Sequence, residues 1–201
     1  VFVYCSVFKG KDRVNMEIRE LKLTDFKGIE SLAEVVFGEG YLDKNTLDLV
    51  WERTHKNDIN SSFVLIEKDR VVGFRLTYAA GNWYEEGNYC PDRWGCPVEE
   101  VCYFKISCLD PDFRGRGLGQ ILLKNAIDAS MAQGAKAGIA DIWLNSPNNS
   151  AYKYFSRAGG EVVNIYHSRW SGKPCIRCGK SCECLGAEMI LRFKERICQE
   201  K

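Results

Sequence analysis

The chain has 201 residues, of which 45% are hydrophobic and 27% charged, the mixture of a globular protein; it excludes a disordered or membrane-spanning chain, and the length suits one domain. The 28 Lys and Arg against 27 Asp and Glu leave a net charge of +1, which excludes bulk attraction to nucleic acid or to an anionic membrane, so any charged site must be local. The 10 cysteines accompany no secretory signal in the short apolar run at residues 1–8, and this points to a cytoplasmic, reducing location rather than to a disulfide framework.

Residues 1–15 read as a loosely attached extension ahead of Met16, and residues 16–195 as a single domain carrying insertions at 79–98 and 168–186. A short strand is expected at 16–21, followed by a helix capped by Thr24 whose apolar positions Phe26, Ile29, Leu32, Ala33, Val36 and Phe37 have helical spacing up to Gly38. A second helix is expected from Asn45, with Leu47, Val50, Trp51 and Thr54 on one side. Residues 62–66 and 71–78 are rich in β-branched and aromatic side chains around the turn Lys68-Asp69-Arg70, which predicts an antiparallel hairpin. The stretch 79–98 has no period of two or of 3.6 and reads as a long ordered insertion. Its Trp83, Tyr84, Glu85, Glu86, Tyr89, Asp92 and Trp94 suit either an aromatic and acidic pocket for a cationic amine or a surface flap with its own aromatic cluster.

A strand at 101–109, an amphipathic helix at 117–133 and a buried strand at 139–144 form the next unit, and a helix at 149–157 and strands at 161–167 and 187–193 complete the pattern. Between strand and helix lies Leu109-Asp-Pro-Asp-Phe-Arg-Gly-Arg-Gly-Leu-Gly119. Its glycines let backbone N–H groups close around a pyrophosphate at the positive end of a helix, and Arg114 and Arg116 add charge. A dinucleotide fingerprint fails because position 120 is Gln, and the Gly-Lys-Ser/Thr of a triphosphate loop is absent.

These residues resemble the GNAT superfamily of N-acetyltransferases: Arg114-x-x-Gly117-x-Gly119 follows Leu109-Asp110-Pro111, and the order of elements over residues 16–193 is similar to that of the superfamily. The resemblance implies an α/β (α+β) fold, with a central mixed, mostly antiparallel sheet splayed at its middle and helices on both faces. It implies acetyl-CoA as cosubstrate, with Ser107, Cys108 and Leu109 along the pantetheine and Gly115, Arg116, Gly117, Leu118, Gly119 and Gln120, with Arg114, at the pyrophosphate. A second motif is approximated by Asn148-x-x-Ala151-x-x-Tyr154-Phe155-x-x-x-Gly159-Gly160, which makes Asn148 a cofactor contact. The family tyrosine that protonates the leaving thiolate falls on Phe155, which has no ionisable proton, and Tyr154 and Tyr152 are the nearby candidates. Glu99 and Glu100, just before the strand, are candidate bases for the attacking amine, of which at most one should serve because neighbours on a strand face opposite ways.

A backbone N–H near Leu109 would hold the oxyanion, and Cys102 and Cys108 read as small buried hydrophobes. Cys175, Cys178, Cys182 and Cys184 are placed together with the density of a structural zinc site, to which Cys90 and Cys96 could instead supply two ligands; disulfides, reactive thiols and an iron–sulfur cluster are the alternatives. The expected function is an acyl-CoA-dependent N-acetyltransferase acting on a small-molecule or peptide amine, as a monomer or homodimer without nucleic-acid or membrane partners. The competing reading is a non-catalytic CoA-binding module of the same fold. A zinc ribbon for nucleic acid, built on Arg169, Lys173, Arg177 and Lys180, is a third reading, diluted by Glu161, Glu183 and Glu188.

Overall fold

The computed structural model describes residues 16–85, 89–168, 170 and 183–194. Strands β1 (Met16–Glu20), β4 (Phe63–Glu67), β5 (Arg70–Tyr78), β6 (Val101–Leu109), β7 (Ala137–Trp143), β8 (Glu161–Tyr166) and β9 (Gly186–Arg192) form one sheet of seven strands in the order β1-β4-β5-β6-β7-β9-β8. Every pairing in it is antiparallel except β6 with β7. Helices α1 (Phe26–Phe37), α2 (Lys44–Thr54), α3 (Leu118–Ala132) and α4 (Ser150–Arg157) flank it, and β2 (His55–Lys56) with β3 (Ile59–Asn60) makes a two-residue hairpin that is too short for any periodicity to show.

Side-chain alternation along the strands sorts the core into two halves. Ile29, Leu32, Leu47 and Val50 of α1 and α2 meet Phe74, Leu76, Tyr103 and Ile139 on one face of the sheet. On the other, Leu118, Leu122 and Ala126 of α3 and Phe155 of α4 meet Cys102, Phe104, Ala140 and Met189. The helix starts differ from the sequence expectation, and carboxylates that accept from backbone amides, not the hydrophobic period, mark them. Thr24 does not cap α1 but lies in a 3-10 turn, Leu23–Asp25. The buried Asp25 carboxylate there accepts from the Lys22 amide at 2.8 Å and pairs with Arg19 at 2.7 Å. Helix α2 begins at Lys44 rather than Asn45 because Asp43 accepts from the Thr46 amide at 2.8 Å.

The insertion after β5 folds over β7, β9 and β8 beside α1 and α2. Arg93 donates to the Val163 carbonyl at 2.6 Å, and Arg192 of β9 donates to the Trp94 carbonyl at 3.1 Å. Trp94, 0% exposed, donates its indole N–H to Glu188, itself fully buried on β9, which also accepts from the Tyr166 hydroxyl at 2.6 Å. No helix among the described residues is long and apolar enough to cross a membrane.

Candidate active site

The parallel contact between β6 and β7 lasts only from Val101↔Ala137 to Tyr103↔Ile139. Beyond Tyr103 the two strands part, while β7 stays paired to β9 along its whole length. Two local features produce the split. Opposite β5, Leu76 pairs with Ile106 and Thr77 with Phe104, so Lys105 is an extra, bulged residue that bends β6. Gly138 lies under the Phe104 ring, whose Cε2 would be 2.4 Å from any Cβ there, so only glycine lets the ring settle over β7 at the fork.

Along the open half of β6, Ser107 is half-buried and donates its hydroxyl to the Phe74 carbonyl at 3.3 Å. The Cys108 side chain packs toward α1 and α2, and burial pushes its thiol up to about 12. Leu109 ends the strand, and its carbonyl accepts from Arg114 Nε and Nη2 at 3.2 and 3.1 Å. The Ser107 hydroxyl is thus engaged and the Cys108 thiol turned away, so any ligand along this stretch would meet their backbones.

The loop that follows is braced from within. The Asp110 amide donates to the Val72 carbonyl at 2.9 Å, and the Asp110 carboxylate accepts from the Asp112 amide at 3.0 Å and from Arg70 at 2.8 Å. Burial pushes that carboxyl up, but these donors outweigh it and hold it below the usual range. Arg116 donates to the Asp112 carbonyl at 2.8 Å and stacks 5.2 Å from the centre of the Phe113 ring. Gly115 and Gly117 both have φ of 76°, a left-handed conformation strained for other residues, and a Cβ on either would meet nothing within 4 Å. Among the described residues the amides of Gly115, Arg116, Gly117, Leu118 and Gly119 donate to no protein acceptor. They converge at the N-terminus of α3, a 15-residue helix. Open space, unpaired amides, a helix dipole and two guanidiniums fit a pyrophosphate. Leu118 adds only its amide, since its side chain is buried in the core, and Gln120 donates its side-chain amide to the Tyr154 carbonyl at 3.0 Å. Asn148 stands exposed in a left-handed conformation, φ 54°, just before α4.

Helix α4 brings Tyr154 against α3, where its hydroxyl donates to the Gly119 carbonyl at 2.7 Å and accepts from Arg75 Nη2 at 2.8 Å. Phe155 is buried, 5.9 Å between ring centroids from Phe104, and Tyr152 points to solvent. Glu99 is exposed and Glu100 is bound to Lys136 at 2.8 Å, both at the closed end of the fork. From Glu100 to the bulge is roughly 17 Å of strand at about 3.3 Å per residue, so the structure does not gather these two carboxylates with the loop. The carboxylate on the forked strands is Asp141 of β7, which accepts from the Tyr89 and Tyr103 hydroxyls at 3.3 and 3.5 Å. It faces the side where the bulge also places Lys105, whose ammonium lies 5.9 and 5.8 Å from the ring centres of Tyr78 and Tyr103. Asp141 and Arg75 escaped the sequence reading, although an ionisable residue inside an apolar strand was a readable sign for both.

The aromatic insertion is a packed flap, not an open pocket. Trp83 stacks on Tyr103 at 5.0 Å and touches Tyr89 and Trp94, leaving Glu85 and Asp92 at the surface. Glu86 lies outside the described residues. So do Cys175, Cys178 and Cys182, while Cys184 is buried just before β9. Cys90 accepts from Asn164 Nδ2 at 3.2 Å, and burial pushes the half-buried Cys96 thiol up. Among the described residues no group of three or more His, Cys, Asp or Glu side chains is arranged to hold a metal. A concavity of about 770 Å³ lies between β1, α1 and the β4–β5 turn. Two ion pairs line it, Arg19 with Asp25 and Arg70 with Asp110.

The profile of the acetyltransferase (GNAT) family matches residues 24–159. An uncharacterized N-acetyltransferase of Methanocaldococcus jannaschii is 34% identical over 112 residues, which are 55% of this chain and 43% of that protein. The chain thus matches less than half the length of that relative. Among solved structures, the fold is shared with the ribosomal-protein-S18-alanine N-acetyltransferase of Escherichia coli (TM-score 0.63, 16% identity, 90% of this chain and 98% of that one). It is shared with Ard1 of Thermoplasma volcanium (0.64, 16%, 90% and 99%). It is also shared with Arabidopsis thaliana Naa50, solved with the bisubstrate analogue CoA-Ac-MVNAL (0.62, 16%, 90% and 100%).

Proposed function

The chain belongs to the GNAT family of acetyltransferases, and from that premise we propose that it transfers an acetyl group from acetyl-CoA to the amine of a small molecule or peptide by direct attack. The observation that carries this reading is the run of unpaired amides from Gly115 to Gly119 at the N-terminus of α3, next to a strand that has left its neighbour. In this reading those amides, Arg114 and Arg116 hold the pyrophosphate, Asn148 adds a contact, and the backbone of Ser107 to Leu109 holds the pantetheine. An amide of the same strand near Leu109 polarises the thioester carbonyl. The bound cosubstrate supplies the activated acyl group and a thiolate leaving group.

For the base that frees the amine of its proton, Asp141 is better placed than Glu99 or Glu100. It lies on the forked strand, facing the α1 and α2 side, and it is held by two tyrosine hydroxyls. A second reading, a CoA-binding module without turnover, draws on the missing hydroxyl at Phe155.

The test is calorimetric titration with acetyl-CoA, followed by mass spectrometry of amines incubated with the protein and acetyl-CoA. The panel would include spermidine, free lysine and peptides with free N-termini. Saturable binding with one acetyl gained per amine is expected. Binding without transfer to any class of amine favours the module, and a folded protein that does not bind acetyl-CoA overturns both readings.

A further inference from the structure

Arg75 is the buried cation among the described residues, 1% exposed in the middle of β5. Its guanidinium lies 5.3 to 5.5 Å from the ring centres of Tyr154, Phe155 and Phe104, and Nη2 donates to the Tyr154 hydroxyl. Among the described residues its Nε donates to nothing and no carboxylate pairs with it. A charge taken out of water without a counter-ion is costly, and rings alone compensate it poorly. Its place gives the reason for keeping it. Arg75 pairs with Ser107 across the β5–β6 ladder, and it reaches beneath the half of β6 that has left β7 to touch α4 beyond. The cation therefore lies under the fork, beside a phenol whose hydroxyl is already within bonding reach of the first turn of α3.

Resting on the reading given above, we propose that Arg75 is a positioning residue: it holds the Tyr154 hydroxyl ready to protonate the leaving thiolate of the acyl donor, in place of the hydroxyl absent from Phe155. Tyr154 turns its O–H from the Gly119 carbonyl toward the sulfur and gives up its proton as the carbon–sulfur bond breaks with the electron pair on sulfur. The phenolate left behind accepts from Arg75 Nη2 and regains a proton from the one the amine loses on forming the amide. The titratable groups facing Arg75 are Tyr154 from α4 and Cys102 from β6. Burial pushes the Cys102 thiol up to about 12, so it stays neutral through the range tested.

The test needs no acceptor. Free CoA carries a thiol and acetyl-CoA does not, while both carry the same phosphates, so the ratio of their dissociation constants isolates the sulfur. If Arg75 and Tyr154 stabilise a thiolate, the thiol of bound CoA ionises at lower pH than that of free CoA. CoA then binds more tightly, relative to acetyl-CoA, as pH rises toward about 8.5, by up to about tenfold per pH unit. Calorimetry of the full chain between pH 6.5 and 8.5 should show that ratio falling about tenfold or more in the wild type. It should be flat in Arg75→Met and Tyr154→Phe, and partly restored in Arg75→Lys. The same fall in wild type and both variants, or a flat ratio in the wild type, overturns the inference and leaves the acetyltransferase reading standing. A folded wild type that binds neither compound overturns both. If Arg75→Met melts out by circular dichroism, Tyr154→Phe, which removes only a hydroxyl, still decides.

Discussion

Alanine at Gly117 and alanine at Gly134 form a matched pair that separates the backbone cost of a left-handed glycine from the service it performs. The two residues bracket α3, one at its N-cap and the other past its C-terminus, with φ of 76° and 94°, and a Cβ on either would meet no atom within 4 Å. Neither variant can clash, so the stability cost is that of an L-residue held left-handed, about 1–2 kcal/mol, less the 0.4–1 kcal/mol that alanine recovers from the unfolded chain. A net loss of about 1 kcal/mol lowers the melting temperature by about 2–4 °C for a chain of this size, and calorimetry should find the two variants alike. Acetyl-CoA binding should distinguish them. At Gly117 the methyl enters the space bounded by the unpaired amides, and relaxation out of the left-handed region misaligns those amides. Affinity should fall tenfold or more, equivalent to about 1.4 kcal/mol, while Gly134→Ala binds as the wild type does. A Gly117→Ala protein that melts like Gly134→Ala and binds acetyl-CoA at wild-type strength would refute the assignment of this loop.

At the fork, Gly138→Ala puts a methyl 2.4 Å from Phe104 Cε2 and 2.8 Å from Cys102 Sγ. Overpacking there should cost about 1–3 kcal/mol in urea melts, and a neutral result would mean that the ring moves freely. Trp94→Phe removes an indole donor from the buried Glu188 carboxylate, with an expected loss of about 1–3 kcal/mol that thermal denaturation can read. Cys102 and Cys108 both have thiols that burial pushes up to about 12 from an ordinary 9.0. Iodoacetamide at pH 8 should leave both unlabelled in the native protein and label them in urea. Their contribution to stability is fully present below pH 9 and is lost as pH rises toward about 12, because the unfolded thiols ionise first; a stability curve that rises over that window would contradict the assignment.

Most strands and helices were legible because each has a buried face with a clear period. Leu118, Leu122 and Ala126 fall on one side of α3, and the alternation of Val101, Tyr103 and Ile106 against Cys102 and Phe104 runs along β6. The fork was implied only through the family resemblance. A one-residue bulge at Lys105 shows in the register against β5 and leaves little trace in composition. The insertion stayed open between pocket and flap for a related reason: counting its rings does not tell whether they face a ligand or one another, and Trp83, Tyr89 and Trp94 face one another. The loop from Leu109 to Gly119 was the most legible part of the site, since left-handed glycines before a helix leave few alternatives. The partners of its arginines were not, because both guanidiniums bond backbone carbonyls rather than side chains.

Hydrogen–deuterium exchange followed by mass spectrometry, with and without saturating acetyl-CoA, shows where on this chain the cosubstrate sits. Exchange should slow at residues 115–119, whose amides donate to no acceptor among the described residues, and at residues 105–109, beyond the last pairing of β6 with β7, with no change along β1 and α1. Protection confined to the concavity beside α1, or no protection at either segment while acetyl-CoA is bound, would contradict this placement.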